Sequence, residues 1–331
     1  MINKYKMLVT GALGFIGSNF VNFFASKYPE TNIIILDKND YCSSIQNINT
    51  INANVKIIIG NILDTELVTS ILNDNAVNTI IHFAAQSHVD NSFCNSISFT
   101  ENNILGTHLL LETTRVYHER TGNIKKFIHV STDEVYGEVL DDSVRTETSI
   151  LDPTNPYAAS KAGAEFMAKS YYYSYKLPII ITRANNVYGI NQYPEKVIPK
   201  FICQLLNGEK ITLHGTGNSR RNFVHVDDVS TAYETILTNG KIGEIYNISA
   251  AEKHEYSMLE LAQMLIELFD SAANCNDIIT YVEDRKFNDV RYFTASDKLE
   301  RIGWKPTKLD FRSNLAELIN WYRAHKSRFG M

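Results

Sequence analysis

The first half of the chain alternates short apolar runs with longer amphipathic stretches. Apolar runs of strand length lie at residues 7–10, 33–36, 55–59, 79–83, 127–130 and 177–182. Between them, apolar residues recur at helical spacing, most clearly over residues 64–72, 102–119 and 157–175. The first pattern is typical of buried strands, and the second is typical of helices that bury one face. This alternation predicts an α/β fold, a Rossmann-like doubly wound parallel sheet.

Beyond residue 185 the alternation of strands and helices becomes irregular. We therefore predict a main domain over residues 1–185 and a smaller C-terminal substrate-binding lobe over residues 186–223 and 249–331. The segment between them, from about 224 to 248, opens a helix near residue 226 and ends in an apolar run. We expect this segment to return to the sheet of the main domain.

Three glycines, Gly11, Gly14 and Gly17, separate the first strand from the first helix. In a strand–turn–helix unit such glycines allow a tight turn and a close approach of backbone to a pyrophosphate, and the helix N-terminus attracts phosphate. Asp37 ends the second strand about twenty residues later, where a carboxylate binds a ribose hydroxyl and disfavours a 2′-phosphate. Three glycines alone also fit a plain glycine-rich turn, but this context predicts a site for NAD rather than NADP.

Small residues at the end of the fourth strand extend the predicted cofactor site, because they allow a flat ring to lie close. We assign to this site Gly11, Gly14, Phe15, Ile16, Gly17, Asp37, Lys38, Asn61, Ile62, Ala84, Ala85, Tyr157 and Lys161.

Two adjacent carboxylates, Asp133 and Glu134, directly follow the strand pattern at residues 127–130. Open α/β sheets bind their ligands at strand ends. Neighbouring carboxyl groups push their pKa values apart, which suits one general acid and one general base. Ser131 and Glu134 also have the spacing of a helix capping box, but that interpretation leaves Asp133 unexplained.

Tyr157 stands four residues before Lys161, so both lie on one face of the predicted helix. A phenol has a pKa near ~10 and is a poor base, but a nearby ammonium group lowers that pKa. We therefore predict a lowered pKa for Tyr157 and a role as a base. The competing interpretation is an exposed structural pair, since pairs of this spacing are common.

The bulk composition excludes several classes of protein. The 331 residues carry a net charge of −5, which argues against nucleic-acid binding through a basic surface. No apolar run approaches the ~20 residues of a membrane helix. The first six residues do not resemble a signal peptide, and the cysteines are too dispersed for a disulfide scaffold, so we expect a cytoplasmic protein. His82, His129 and His225 lie in apolar runs and lack metal-ligand spacing, so we expect no metal.

The motifs resemble those of the extended short-chain dehydrogenase/reductases and, among them, the nucleotide-sugar 4,6-dehydratases. The resemblance covers nearly the whole chain through residues 11–17, 131–137, 155–161, 186–196 and 284–292. Related 4-epimerases and decarboxylases share the glycines and Tyr-x-x-x-Lys but generally lack the Asp–Glu pair. The resemblance extends equally to dTDP-glucose and UDP-glucose dehydratases. Residues 185–189 and 287–293 favour the UDP group, although the nucleotide stays open.

The resemblance implies that an NDP-glucose is converted to NDP-4-keto-6-deoxyglucose in deoxysugar (rhamnose-type) biosynthesis, with tightly bound NAD regenerated in each turnover. It implies that Tyr157, helped by Lys161, deprotonates the 4-hydroxyl and that Thr132 binds the 4-oxygen. Glu134 would remove the C5 proton, and Asp133 would protonate the departing 6-hydroxyl.

The same resemblance implies a set of substrate-binding residues and an assembly. The sugar nucleotide would be held by Ser87, His88, Asn186, Glu195, Lys196, Arg221 and Arg285. Asn61 stands where the family usually has an aspartate near the adenine, and its amide oxygen can still accept a hydrogen bond. The helices over residues 102–119 and from 157 resemble the family's dimer contact, so we expect a homodimer. The alternatives are a 4-epimerase or decarboxylase on the same fold, or a non-catalytic NAD-binding regulator.

Overall fold

The computed structural model describes residues 5–49, 54–139, 143–250, 254–270, 272, 274–284 and 289–329. The strands are β1 (Lys6–Thr10), β2 (Asn32–Asp37), β3 (Val55–Ile59), β4 (Thr79–His82), β5 (Lys126–Thr132), β6 (Ile179–Ala184), β7 (Asn186–Tyr188), β8 (Ile211–His214), β9 (Arg220–His225), β10 (Ile245–Ile248), β11 (Glu255–Ser257) and β12 (Ile279–Val282). The α-helices are α1 (Phe15–Lys27), α2 (Thr65–Asp74), α3 (Val89–Cys94), α4 (Ser96–Phe99), α5 (Gly106–Thr121), α6 (Pro156–Tyr175), α7 (Val197–Leu206), α8 (Val226–Asn239), α9 (Met258–Phe269), α10 (Cys275–Ile278), α11 (Asp297–Glu300) and α12 (Phe311–Ala324).

The central sheet of the described chain has seven strands in the order β10-β6-β5-β4-β1-β2-β3, all parallel. The order reverses between β1 and β4, which is the topological switch point where such sheets bind ligands. Met7, Leu8 and Val9 of β1 are all fully buried, because helices cover both faces of the sheet. The predicted Rossmann-like doubly wound sheet is therefore confirmed.

Two separate apolar layers cover the faces of this sheet. On one face, Phe20 and Phe24 of α1 pack with Tyr233 of α8. On the other face, residues of α2, α5 and α6 form the second layer, among them Leu110 and Tyr171. This arrangement leaves the carboxyl edge of the strands free to carry a site.

A third apolar cluster, with Phe201, Leu265 and Leu318 in its centre, joins α7, α9 and α12. Beside it lie a three-stranded sheet of order β11-β9-β7 and a two-stranded sheet of β12 and β8. The segment predicted to return to the main sheet does so through β10, which pairs with β6. Its first residues do not: Val224 and His225 belong to β9 and pair with β7.

The predicted helix over residues 102–119 differs from the observed one. The helical stretch begins at Ser96 with α4, continues as a π-helix over Thr100–Leu105 and then as α5, which ends before Gly122 in the left-handed region at φ 64°. A π turn takes in one residue more than an α turn, and apolar spacing does not reveal such an insertion.

Within the residues that the structure describes, no helix combines the length and the apolar character needed to cross a lipid bilayer. Cys42, Cys94, Cys203 and Cys275 are free thiols.

Candidate active site

A cavity of about 520 Å³ opens at the carboxyl ends of the central strands. It brings together nearly all the residues proposed from the sequence. These lining residues are Gly11, Gly14, Phe15, Ile16, Gly17, Asp37, Lys38, Asn61, Ile62, Ala84, Ala85, Ser87, His88, Thr132, Asp133, Glu134, Tyr157, Lys161, Asn186, Glu195 and Lys196. Two proposed residues are missing from this set: Arg221 does not line the cavity, and Arg285 lies outside the described residues.

The glycine loop leaves no room for side chains at two of its three positions. Gly11 has a φ of +70°, and a Cβ there would lie 2.5 Å from the Cα of Ala84. A Cβ on Gly17 would lie 2.7 Å from the Cα of Ala12, so this glycine lets α1 pack closely on the end of β1. Gly14 caps α1, and the first turn of that helix lines the cavity. The loop is therefore a cradle of backbone beside a helix N-terminus, which fits a diphosphate.

Asp37 is fixed at the end of β2 by backbone donors. Its carboxylate accepts hydrogen bonds from the amides of Leu13 at 2.9 Å and Asn39 at 2.8 Å. The neighbouring Lys38 ammonium lies 2.7 Å from the Asp40 carboxylate. A negative charge beside the glycine loop suits a ribose with free hydroxyl groups better than a ribose phosphate.

The carboxyl pair sits in a short 3-10 helix, Asp133–Tyr136, that follows β5. Thr132 caps it, because its hydroxyl accepts a hydrogen bond from the Glu134 amide at 3.3 Å, so the capping-box interpretation with Ser131 is wrong. The Thr132 hydroxyl also donates to Asp133 Oδ1 at 3.3 Å, and the Asn185 amide donates to Oδ2 at 2.8 Å. Asp133 is only 2% exposed.

Burial makes both carboxyl groups harder to ionise. Burial, followed by the charge of Glu134, raises the pKa of Asp133 to about 7. Burial also raises the pKa of Glu134, although the charges of Lys196 and Arg221 oppose that shift. A carboxyl group that holds its proton near neutral pH is suited to act as a general acid.

Tyr157 and Lys161 are both buried and both line the cavity. The Lys161 ammonium donates to the Val130 carbonyl oxygen at 2.6 Å, and burial lowers the pKa of this lysine to about 8. Burial, then the charge of Glu134, raises the pKa of Tyr157 above its ordinary value, while a hydrogen bond with Thr132 opposes the rise. The prediction of a lowered pKa for Tyr157 is therefore wrong for this arrangement, because burial disfavours the charged phenolate.

Further polar groups line the cavity, from the loops after β2 and β4 and from the segment before α7. The Lys196 ammonium donates to the Ser87 carbonyl oxygen at 2.5 Å, which ties the segment before α7 to the loop after β4. The Glu195 carboxylate accepts from the Tyr41 hydroxyl at 2.6 Å. His88 Nε2 lies 3.8 Å from the Asp90 carboxylate.

Arg221 lies on β9 and does not line the cavity. Its guanidinium donates to the carbonyl oxygens of Arg220 at 2.8 Å and Asp289 at 2.9 Å, and it lies 4.8 Å from the centre of the Tyr292 ring. Its charge nevertheless lowers the pKa of both Asp133 and Glu134. In this arrangement the positive charge of Arg221 favours the ionised forms of the two carboxyl groups.

The sequence analysis assigned no role to several polar residues at or beside the cavity, three of which are Tyr41, Asn185 and Asn103. Tyr41 lines the cavity and reaches Glu195, and Asn185 contacts Asp133. Asn103, in the π-helix, bonds both backbone groups of Gln86 and donates to the Ser160 hydroxyl at 2.9 Å. Only Asn185 carried a signal, since it directly follows a strand of the parallel sheet.

The histidines interpreted as core or strand residues are confirmed as such. His82 and His129 are fully buried in β4 and β5, and His225 ends β9. The described part of the chain holds no group of three or more His, Cys, Asp or Glu side chains placed to bind a metal ion.

Comparison with known proteins identifies the family. The sequence profile of the family described as GDP-mannose 4,6 dehydratase matches residues 8–318. The dTDP-D-glucose 4,6-dehydratase of Dictyostelium discoideum is 44% identical, with 97% of this chain and 82% of the relative covered. The trifunctional UDP-glucose 4,6-dehydratase RHM1 of Arabidopsis thaliana is also 44% identical over 98% of this chain, which spans only 48% of that longer protein.

Among solved structures, the dTDP-glucose 4,6-dehydratase DesIV of Streptomyces venezuelae, crystallised with NAD bound, superposes with a TM-score of 0.90. It is 38% identical, and 98% of each chain is covered. The chain therefore belongs to the nucleotide-sugar 4,6-dehydratase family of the extended short-chain dehydrogenase/reductases.

Proposed function

We propose that this protein is an NAD-dependent NDP-glucose 4,6-dehydratase that converts UDP-glucose or dTDP-glucose to the NDP-4-keto-6-deoxyglucose. One observation carries the proposal: an Asp–Glu pair with raised pKa values, Asp133 buried and Glu134 partly buried, shares a cavity with Tyr157 and with a glycine cradle. An oxidation or epimerisation at C4 needs one proton acceptor, whereas loss of water across C5 and C6 also needs an acid and a base.

The residues of the cradle fit the dinucleotide. Gly11, Gly17 and the N-terminus of α1 would take the diphosphate, and Asp37 would bind a ribose hydroxyl. Asn61 and Ile62 line the adenine end expected from the family, and Ala84 and Ala85 line the wall next to β4. When bound there, NAD supplies the hydride acceptor for C4, the hydride donor for C6 and a positively charged ring.

Tyr157 would accept the proton of the 4-hydroxyl. A cationic ring in the cavity favours the phenolate, which counters the effect of burial on its pKa. Lys161 would hold the end of β5 against α6 through its bond to Val130 and would add positive charge. Thr132, in reach of both Asp133 and Tyr157, would bind the 4-oxygen.

Elimination would use the carboxyl pair in two different protonation states. Once C4 is a ketone, the C5 proton is acidic, and Glu134 would remove it. Asp133 would give its proton to the 6-hydroxyl, which leaves as water. The Asp133 pKa of about 7 keeps that proton available at neutral pH, and the neighbouring Lys196 and Arg221 charges favour an ionised Glu134.

The sugar nucleotide would be held by Ser87, His88, Asn186, Glu195 and Lys196 in the cavity, and the family resemblance adds Arg221 and Arg285 to this set. The relatives are named for dTDP-glucose and UDP-glucose. We therefore propose a nucleoside diphosphate glucose without choosing the base.

We also propose that the protein is a homodimer that joins through α5 and α6. Phe166 and Tyr173 lie seven residues apart on one face of α6 and are 57% and 66% exposed. Leu105 and Val116, beside and within α5, are exposed as well. An apolar strip on two adjacent helices is suited to pack against a second copy of itself.

Mass spectrometry of the products tests the proposed reaction. The purified protein is incubated with UDP-glucose and dTDP-glucose separately, without added NAD. A product one water lighter from either substrate supports the proposal, and the faster substrate identifies the nucleotide. An unchanged mass with an altered sugar configuration identifies a 4-epimerase, and loss of carbon dioxide from a UDP-glucuronate control identifies a decarboxylase. No conversion, even with added NAD, contradicts an enzyme of this class.

A further inference from the structure

Asn185 is the first residue after β6, and β6 runs beside β5. Their register pairs Ala184 with Thr132, so Asn185 and Asp133 leave the sheet side by side. The Asn185 side-chain amide donates a hydrogen bond to Asp133 Oδ2 at 2.8 Å. Both side chains are buried, with 4% and 2% exposure, so water cannot easily replace this contact.

The rest of Asn185 is held by the second half of the chain. Its backbone amide donates to the Ile248 carbonyl oxygen at 3.1 Å, and its side-chain oxygen accepts from the Thr294 hydroxyl at 3.3 Å. The Thr294 carbonyl oxygen in turn accepts from the Ser249 hydroxyl at 2.8 Å. With its oxygen turned to Thr294, the amide presents its N–H groups to Asp133.

We infer that Asn185 is a positioning residue that orients Asp133, occupying Oδ2 so that Oδ1 carries the proton delivered to the leaving hydroxyl. The inference rests on the proposed function, in which Asp133 is the general acid. Oδ1 lies on the side of Thr132, whose neighbour in the cavity is Tyr157. The two oxygens are not equivalent, because Oδ2 accepts the amide at 2.8 Å whereas Oδ1 has the longer contact of 3.3 Å with the Thr132 hydroxyl.

The same hydrogen bond has an electrostatic effect. A donor that faces a carboxylate stabilises the ionised form, so Asn185 limits the rise in the pKa of Asp133 that burial causes. Several charged or titratable groups surround the carboxyl pair: Glu134 on the same turn, Arg221 on β9, Tyr157 on α6, Lys196 before α7, and Asp289 and Tyr292 near the C-terminal lobe. They remain in place when only the amide of Asn185 is removed.

The test is the pH dependence of product formation by Asn185→Leu, which keeps the branching and the number of side-chain heavy atoms and removes the donor. Product one water lighter is followed by mass spectrometry from pH 6 to 9 with excess NAD. The alkaline limb is the part of the pH–rate profile where the rate falls as the pH rises. We expect it to move to higher pH by about one unit, because Asp133 stays protonated to higher pH without the donor. We also expect turnover below the limb to fall about tenfold, because the acid is no longer oriented.

Thr294→Val is the second variant, for the case that Asn185→Leu does not fold. It frees the amide without removing it, and we expect a smaller shift of the limb in the same direction. Asn314→Ala is the matched control. It removes a buried amide that donates to the Tyr188 hydroxyl and the Lys308 carbonyl. This control should lower the melting temperature without shifting the alkaline limb of the pH–rate profile.

A lowered melting temperature with an unmoved limb in both Asn185→Leu and Thr294→Val would show that Asn185 is only structural. The wild-type protein separates this result from failure of the proposed function. If it forms no product one water lighter, the proposed function fails. If it forms the product and the limb stays in place, only this inference fails.

Discussion

The Lys161 ammonium donates a hydrogen bond to the Val130 carbonyl oxygen at 2.6 Å. Both groups are buried, and the contact joins the first half of α6 to the end of β5, directly before the carboxyl pair. Burying an ammonium group in this way costs free energy, so Lys161 destabilises the fold.

Replacing this lysine is expected to raise stability. Burial lowers the pKa of Lys161 from 10.5 to about 8. Between these values the unfolded chain binds more protons than the folded one, so wild-type stability rises with pH there. Below pH 8 the charge costs on the order of 3 kcal/mol. Lys161→Met should therefore melt above the wild type at pH 7, and the difference should shrink as the pH rises towards 10.

Thermal melts across this pH range check the expectation, with the exposed Lys210→Met as a control that should follow the wild type. A Lys161→Met protein that melts below the wild type at pH 7 would contradict it. Activity should fall at least 10²-fold in the same variant, because the positive charge that Lys161 is proposed to add to the cavity is lost.

Asp133→Asn should stall the reaction after the first hydride transfer. We expect product formation to slow on the order of 10²–10⁴-fold, the usual contribution of a positioned acid. C4 oxidation does not need this acid, so bound NADH should accumulate and can be followed by its absorbance. In the wild type, product formation should decline as the pH rises through about 7, where Asp133 ionises. The control is Asp64→Asn, at the N-cap of α2. Full turnover by Asp133→Asn would exclude Asp133 as the acid.

Tyr157→Phe should fail one step earlier. Without the phenol oxygen no group accepts the 4-hydroxyl proton, so no NADH absorbance should develop when substrate is added. We expect a loss of at least 10²-fold in the rate of NAD reduction, measured in a single turnover. Tyr281→Phe, on the exposed strand β12, should behave as the wild type. NADH formation at the wild-type rate in Tyr157→Phe would mean that another residue is the base.

Tyr41→Phe should increase the rate at which NAD dissociates. The Tyr41 hydroxyl bridges the loop after β2 to Glu195, across the cavity. Loss of one such hydrogen bond costs about 1 kcal/mol, or roughly a fivefold change in a rate or an equilibrium. We therefore expect NAD to dissociate about five times faster, measured as loss of bound cofactor after dilution. Equal dissociation rates in Tyr41→Phe and the wild type would show that the bridge does not retain NAD.

Phe166→Glu should convert the proposed dimer to a monomer. A charge in the centre of an apolar contact costs several kcal/mol when it is buried without a partner. Light scattering at micromolar concentration should give the mass of a dimer for the wild type and of a monomer for the variant. Tyr281→Glu controls for a new surface charge elsewhere. A monomeric wild type would refute the assembly.

The parts of the site that follow local sequence rules were predictable. The strand ends place Gly11, Asp37, Ala84 and Asp133 at one edge because all parallel strands end there. The pairing of Tyr41 with Glu195 and of Asn185 with Asp133 was not predictable, since neither contact leaves a pattern within its own element. The pKa of Tyr157 was misjudged for a related reason: its spacing from Lys161 was visible, but burial depends on the whole fold. Arg221 illustrates the same limit, because its sequence position does not show which way its side chain turns.

The late position of β10 in the sequence affects the chain while it is still being synthesised. Among the described residues, β6 pairs with β5 on one edge and with β10 on the other, and the pairing with β10 starts at Ile245. During synthesis, the chain has made the glycine loop, the acid pair, Tyr157 and Lys161 more than 80 residues before that strand emerges. Until then β6 is an unpaired edge strand, although it is buried in the finished fold. Exposed apolar edge strands of this kind can pair with other chains. A nascent chain that ends before residue 245 therefore carries the proposed catalytic residues on a sheet that lacks β10, and we expect its exposed β6 edge to promote aggregation.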